Sequence, residues 1–163
     1  MTKPSDITAV TYPIAVIMER VKLASPWMPY RWEAKGVVRD IFPAGSSASV
    51  IVRDEQQLQV VFPGLELRLV RDEAEGYYLN LTSPEPKIFV LWRLHVEEAR
   101  PEYVTVSYNE GTRWADSGDH VDGVPLPPEV LAWVGEFVEH NYRPQPRKKV
   151  RYASNKDGVI KNR

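Results

Sequence analysis

Leu58-Gln59-Val60-Val61-Phe62-Pro63-Gly64-Leu65-Glu66-Leu67-Arg68-Leu69 reads as β-structure on both sides of a breaker. In the second half Leu65, Leu67 and Leu69 alternate with Glu66 and Arg68, a period of two that buries one face of a strand and wets the other. Pro63-Gly64 fits a type II turn, with proline fixing one φ and glycine supplying a positive one. The expectation is therefore two short antiparallel strands joined by a reversal.

Upstream the same grammar repeats. Residues 49–53 form a strand set off by the polar Asp54-Glu55-Gln56-Gln57. Residues 12–20 and 30–41 form two more around Ser25-Pro26-Trp27-Met28-Pro29, and Phe42-Pro43-Ala44-Gly45-Ser46-Ser47 ends the second. Downstream, residues 77–81 alternate and are read as a strand that stops at Ser83-Pro84-Glu85-Pro86. Residues 87–95 carry apolar side chains on both faces, as a central strand would. Residues 103–108 give one further strand.

The character then changes. Pro127-Pro128-Glu129 opens a helix, because proline is tolerated in a first turn and Glu129 suits its dipole. Val130, Trp133, Val134, Phe137 and Val138 follow at helical spacing. The fold class expected is mainly β within α+β: seven or eight antiparallel strands in a curved sheet or partly closed barrel, pleckstrin-homology-like in order, with one C-terminal amphipathic helix. Residues 12–142 would be a single domain, 1–11 a flexible N-terminus, and 143–163 a basic, disordered tail.

Charge supports that division. Residues 143–163 carry eight basic side chains and one acidic, a net +7, whereas residues 1–142 carry thirteen and twenty-one, a net −8. An acidic domain with a cationic appendage is expected to meet partners through both. With 43% apolar residues and 163 in all, a sizeable core is expected. The absence of cysteine excludes disulfides, thiolate chemistry and cysteine-ligated metals. No apolar leader or membrane-length run is present, which makes the cytoplasm the expected compartment, with no membrane contact.

Chemical motifs are sparse. Asp116, Asp119, His120 and Asp122 fall close together, but their spacing does not match a calcium loop, and Asp and Gly are ordinary turn residues. His95, His120 and His140 are the only histidines, and no nucleophile elbow accompanies them. Asn80-Leu81-Thr82 matches a glycosylation sequon only by chance. No catalytic residue, cofactor or metal is expected, and the protein is read as non-enzymatic.

Two segments invite a binding role. Trp27 and Met28 are candidate exposed anchors, while Trp32, flanked by Arg31 and Glu33, reads as a core position. In the tail, Arg147, Lys148, Lys149 and Arg151 would engage an acidic protein surface or, alternatively, nucleic acid or another polyanion. Tyr152 alone would stack on bases, and the acidic body opposes nucleic acid.

Pro13-Ile14-Ala15-Val16-Ile17-Met18-Glu19-Arg20, Ser25-Pro26-Trp27 with Trp32, Tyr78-Leu79-Asn80-Leu81, Asp116-Ser117-Gly118, and Val124-Pro125-Leu126-Pro127-Pro128-Glu129 with Trp133 carry a resemblance. Over residues 12–142 the chain resembles an uncharacterised proteobacterial family encoded near molybdenum-dependent formate dehydrogenase genes. The resemblance implies an accessory role in the assembly, maturation or regulation of that enzyme, with one of its subunits as partner. It supplies no catalytic residues.

Overall fold

The computed structural model describes residues 10–144. Its first sheet has four strands: β1 (Val10–Lys22), β2 (Tyr30–Arg39), β3 (Ser49–Arg53) and β4 (Gln57–Leu69), in the spatial order β2-β1-β4-β3. The second has three: β5 (Lys87–His95), β6 (Glu98–Thr105) and β7 (His120–Pro125), in the order β6-β5-β7. All the strand pairs are antiparallel. The described strands thus divide between two sheets, which corrects the expectation of one curved sheet or a barrel. Three helices complete the order: α1 (Ala74–Leu81), α2 (Tyr108–Asp116) and α3 (Pro128–Asn141).

One core joins the layers. Ile14, Val16 and Met18 of β1 meet Ile88, Val90 and Trp92 of β5, with Val130, Val134 and Val138 of α3 and Tyr77 of α1 in the same buried cluster. The helical stripe expected on α3 is the one buried, with Trp133 and Phe137 packed half-exposed beside it. Tyr12 lies 5.2 Å from Trp133, and Tyr77 lies 5.9 Å from Phe137 in an edge-on pair. β5 is the middle strand of its sheet, as its two-sided apolar pattern required.

Pro63-Gly64 does not reverse the chain. β4 runs through it as a bulge: Phe62 pairs with Val16 and Leu65 with Ile14, so Pro63 and Gly64 together oppose Ala15. Leu58, Val60 and Phe62 share one face before the bulge, with Val61 buried on the other, and Leu65, Leu67 and Leu69 follow after it. One extra residue flips the phase and returns both sets to the core. Gly64 adopts a positive φ of 93°, and its N–H donates to Asp40 Oδ2 at 2.7 Å. β3 has already ended at its pairing of Ser49 with Val61, so proline's missing donor breaks no ladder on that side.

Residues 77–81 form helix rather than strand. Ala74 and Tyr77 are buried, and Tyr78 and Leu81 pack half-exposed, a spacing of 3, 4 and 7 that the short alternating window concealed. Asn80, 2% exposed, fastens α1 to the second sheet. Its side chain accepts from Lys87 N at 3.0 Å and donates to Lys87 O at 2.7 Å and Val106 O at 3.0 Å. A sequon asparagine used in this way cannot be an accessible acceptor. Gly76 sits so close to α2 that a Cβ there would overlap Ser107 Oγ.

The strand expected over 103–108 begins at Glu98 and gives way to α2 after Thr105. Ser107 caps that helix, its Oγ accepting from Glu110 N at 3.0 Å. Thr105 Oγ1 completes the cap, donating to Glu110 Oε1 at 2.6 Å while accepting from Ser107 N at 3.0 Å. Residues 1–9 and 145–163, which hold most of the expected flexible N-terminus and nearly all of the basic tail, lie outside the described residues.

Candidate interaction surface

Three connections gather at one end of the molecule. The loop from β1 to β2 carries Trp27 and Met28, and Lys22 N donates to Gln56 O at 2.9 Å, which places the β3–β4 turn beside it. A cleft of about 390 Å³ then links Arg53 on that turn with the β5–β6 hairpin.

The Trp27 loop is held in a defined shape. Ser25 Oγ accepts from Trp27 N at 3.1 Å and from Met28 N at 3.3 Å, and Leu23 N donates to Pro29 O at 2.8 Å. Trp27 is 92% exposed and Met28 also faces solvent, whereas Trp32 is half-buried against the core. The pair expected to be exposed is exposed. An indole and a thioether left side by side in water on a braced loop make a small apolar patch of the residue types that anchor interfaces.

The β5–β6 hairpin adds a second anomaly. His95 pairs with Glu98, leaving Val96 and Glu97 as a two-residue turn. Val96 takes a positive φ of 62° and is 98% exposed. Hairpins of this kind favour glycine where φ is positive, and a β-branched residue there is strained by about 1–2 kcal/mol. Leu94 is exposed on the same hairpin.

Between these loops the cleft is lined by Arg20, Arg53 and Arg100, with Trp32, His95 and Val96 and the carboxylates of Glu97 and Glu98. The Arg20 guanidinium lies 4.2 Å from the centre of the Tyr30 ring and 5.9 Å from that of Trp32. Arg100 is paired with Glu98 at 3.0 Å. No carboxylate lies within ion-pair distance of Arg20 or Arg53 among the described residues.

The acidic segment that drew attention in the sequence is dispersed by the fold. Asp119 receives Arg93 Nη2 at 3.1 Å, and Asp122 Oδ2 accepts from Ala34 N at 2.9 Å and Trp92 Nε1 at 2.8 Å, stapling β7 to β2. His120 stacks on Trp92 at 4.1 Å. His95 Nε2 meets Glu102 Oε2 at 2.8 Å, and His140 Nδ1 lies 2.9 Å from Glu136 O. Among the described residues no group of His, Asp and Glu could hold a metal ion. No described helix is long and apolar enough to cross a membrane.

Of the site residues expected from sequence, Trp27 and Met28 are brought to the cleft-bearing end. Arg147, Lys148, Lys149 and Arg151 lie outside the described residues. Arg20, Arg53, Arg100 and Val96 escaped sequence reasoning. The arginines are dispersed along the chain, and the turn at Val96-Glu97 lacks the glycine or asparagine that would mark it.

Neither the curated proteins nor the solved structures include a match to the chain. A family model matches residues 13–151, covering both sheets, all three helices and part of the basic segment. On that match the chain belongs to the family described as protein of unknown function, DUF3305.

Proposed function

We propose that this protein is a non-catalytic binding protein that meets its partner through the end carrying Trp27 and Met28. One observation carries the reading: Trp27 stands 92% exposed on a loop braced by Ser25 and not stored in the core. The chemistry-bearing side chains support it from the other side. His95, Asp119 and Asp122 are engaged in bonds within the fold, as scaffold groups are.

The partner we propose is a subunit of a molybdenum-dependent formate dehydrogenase, assisted in assembly, maturation or regulation within the cytoplasm. Its support is the resemblance set out from the sequence. Affinity capture from cells making that enzyme tests it, using the full chain, a W27A/M28A variant and a chain ending at Tyr142, each at two salt concentrations. The full chain should enrich a dehydrogenase subunit and W27A/M28A should not. Absence of the subunit from the full-chain capture would remove the named partner. Capture of nucleic acid, lost at high salt and on removing residues 147–163, would favour a polyanion binder instead.

A further inference from the structure

We infer that the cleft between the β3–β4 turn and the β5–β6 hairpin is a carboxylate-binding site that receives an acidic peptide segment of the protein partner. The inference rests on reading this end as partner-facing and adds the chemistry of what is bound. Residues 72–142 carry four basic and fourteen acidic side chains, whereas residues 10–71 carry eight and six. The acidity of the body therefore resides in its second half, and the cleft collects cations at the junction of the two.

Arg20 and Arg53 make no ion pair among the described residues, although acidic side chains outnumber basic ones in the body and Glu97 and Glu98 line the same cleft. The Arg20 guanidinium lies over the Tyr30 ring at 4.2 Å and 5.9 Å from the centre of Trp32, cation–π contacts that hold the charge at the cleft without using its N–H donors. A planar donor fork suits a carboxylate better than a diffuse charge. Arg100 is already matched by Glu98, so the cleft offers two open cations beside one internal pair.

The walls favour a peptide over a free anion. Trp32 and the strained, exposed Val96 line the same cleft, and Leu94 flanks it on the hairpin. A segment with carboxylates spaced around an apolar residue would satisfy both features. Single-stranded nucleic acid is the competing polyanion; Glu98 is held by Arg100, while Glu97 at the hairpin turn opposes either anion, so the apolar walls and not the glutamates favour the peptide.

The test uses the full-length, isotope-labelled protein and three probes: the capped peptide Glu-Glu-Leu-Glu-Glu-Leu, its counterpart with glutamine for every glutamate, and a single-stranded thymidine decamer. The Arg Nε–H and Trp32 indole resonances are followed by NMR. The acidic peptide should shift Arg20, Arg53 and Trp32 saturably. R53Q, which removes no side-chain hydrogen bond or ion pair among the described residues, should weaken that binding about tenfold or more, and R20Q should do likewise. Silence of these resonances, an equal response to the glutamine peptide, tighter binding of the decamer, or full affinity in R53Q would overturn the inference. Failure here leaves the capture experiment untouched, so the two readings fall separately.

Discussion

Two clefts of similar size flank the β6 hairpin, and they treat charge in opposite ways. One, of about 420 Å³, is lined by Glu66, Glu102 and Glu110 with Arg68, Tyr103 and Trp114; the other is lined by Arg20, Arg53 and Arg100 with Glu97 and Glu98. In the first, the fold already engages two of the glutamates. Glu102 takes Arg93 at 2.6 Å and His95 at 2.8 Å, and the hydrogen bond from His95, followed by that from Arg93, holds its carboxyl below the ordinary carboxylate range. Glu110 takes Thr105. In the second, Arg20 and Arg53 keep their hydrogen-bonding capacity for something else. A charged cleft is a docking site only where its charges are still unanswered.

By that contrast, damage on the glutamate side should cost stability, while damage on the arginine side should cost binding without costing stability. The largest effect is expected at high pH. Tyr77 reaches Val70 N and Arg68 O, and burial pushes its hydroxyl up to about 12. Because the folded value lies above the unfolded one of about 10, its contribution is intact below pH 10 and is lost as pH rises to 12. Denaturant titrations across that window should show a loss about 2–3 kcal/mol larger in the parent chain than in Tyr77→Phe.

Next comes Asp40→Ala, which removes the acceptor for Gly64 N on the rim of the glutamate cleft. It should cost about 1.5 kcal/mol in chemical denaturation. Glu102→Gln, which dismantles the exposed network with Arg93 and His95, should cost about 1 kcal/mol by the same measurement. On the arginine side the sign reverses. Val96→Gly relieves a positive φ and should raise stability by about 0.5–1 kcal/mol while weakening peptide binding. Smallest of all, Arg53→Gln should leave the unfolding midpoint unchanged. A destabilisation by Arg53→Gln as large as that by Glu102→Gln would erase the distinction between the clefts.

The parts of this fold that were legible in the sequence share one property: a pattern long enough to report its own period. The α3 stripe from Val130 to Val138, opened by Pro127-Pro128, was readable for that reason, as was β5 with apolar residues on both faces. Short windows misled. Residues 77–81 alternate by chance inside the helical set Ala74, Tyr77, Tyr78 and Leu81, and Ser107 with Glu110 carried a cap signal for α2 that a strand reading obscured. Pro63-Gly64 is turn chemistry used for a bulge; the parity change from Phe62 to Leu65 was the local sign of it.

The candidate surface was half legible. Trp27 and Met28 sit between prolines, where no strand or helix can claim them, and they are exposed. The cleft was not readable, because Arg20, Arg53 and Arg100 come from β1, β3 and β6 and converge only through strand order. Charge counting placed the partner-binding cations in the tail, whereas the described fold assembles a further set from residues whose neighbours in sequence are unremarkable.

Whether the arginine cleft is unanswered in the free protein is measured directly by arginine side-chain relaxation. In full-length protein without added ligand, the Nε–H of Arg93, held by Glu102 and Asp119, should show a high order parameter. That of Arg53 should be low, and that of Arg20, stacked on Tyr30 but unpaired among the described residues, should lie between them. An Arg53 as rigid as Arg93 would mean that the chain already supplies its partner, and the arginine cleft would then be as closed as the glutamate one.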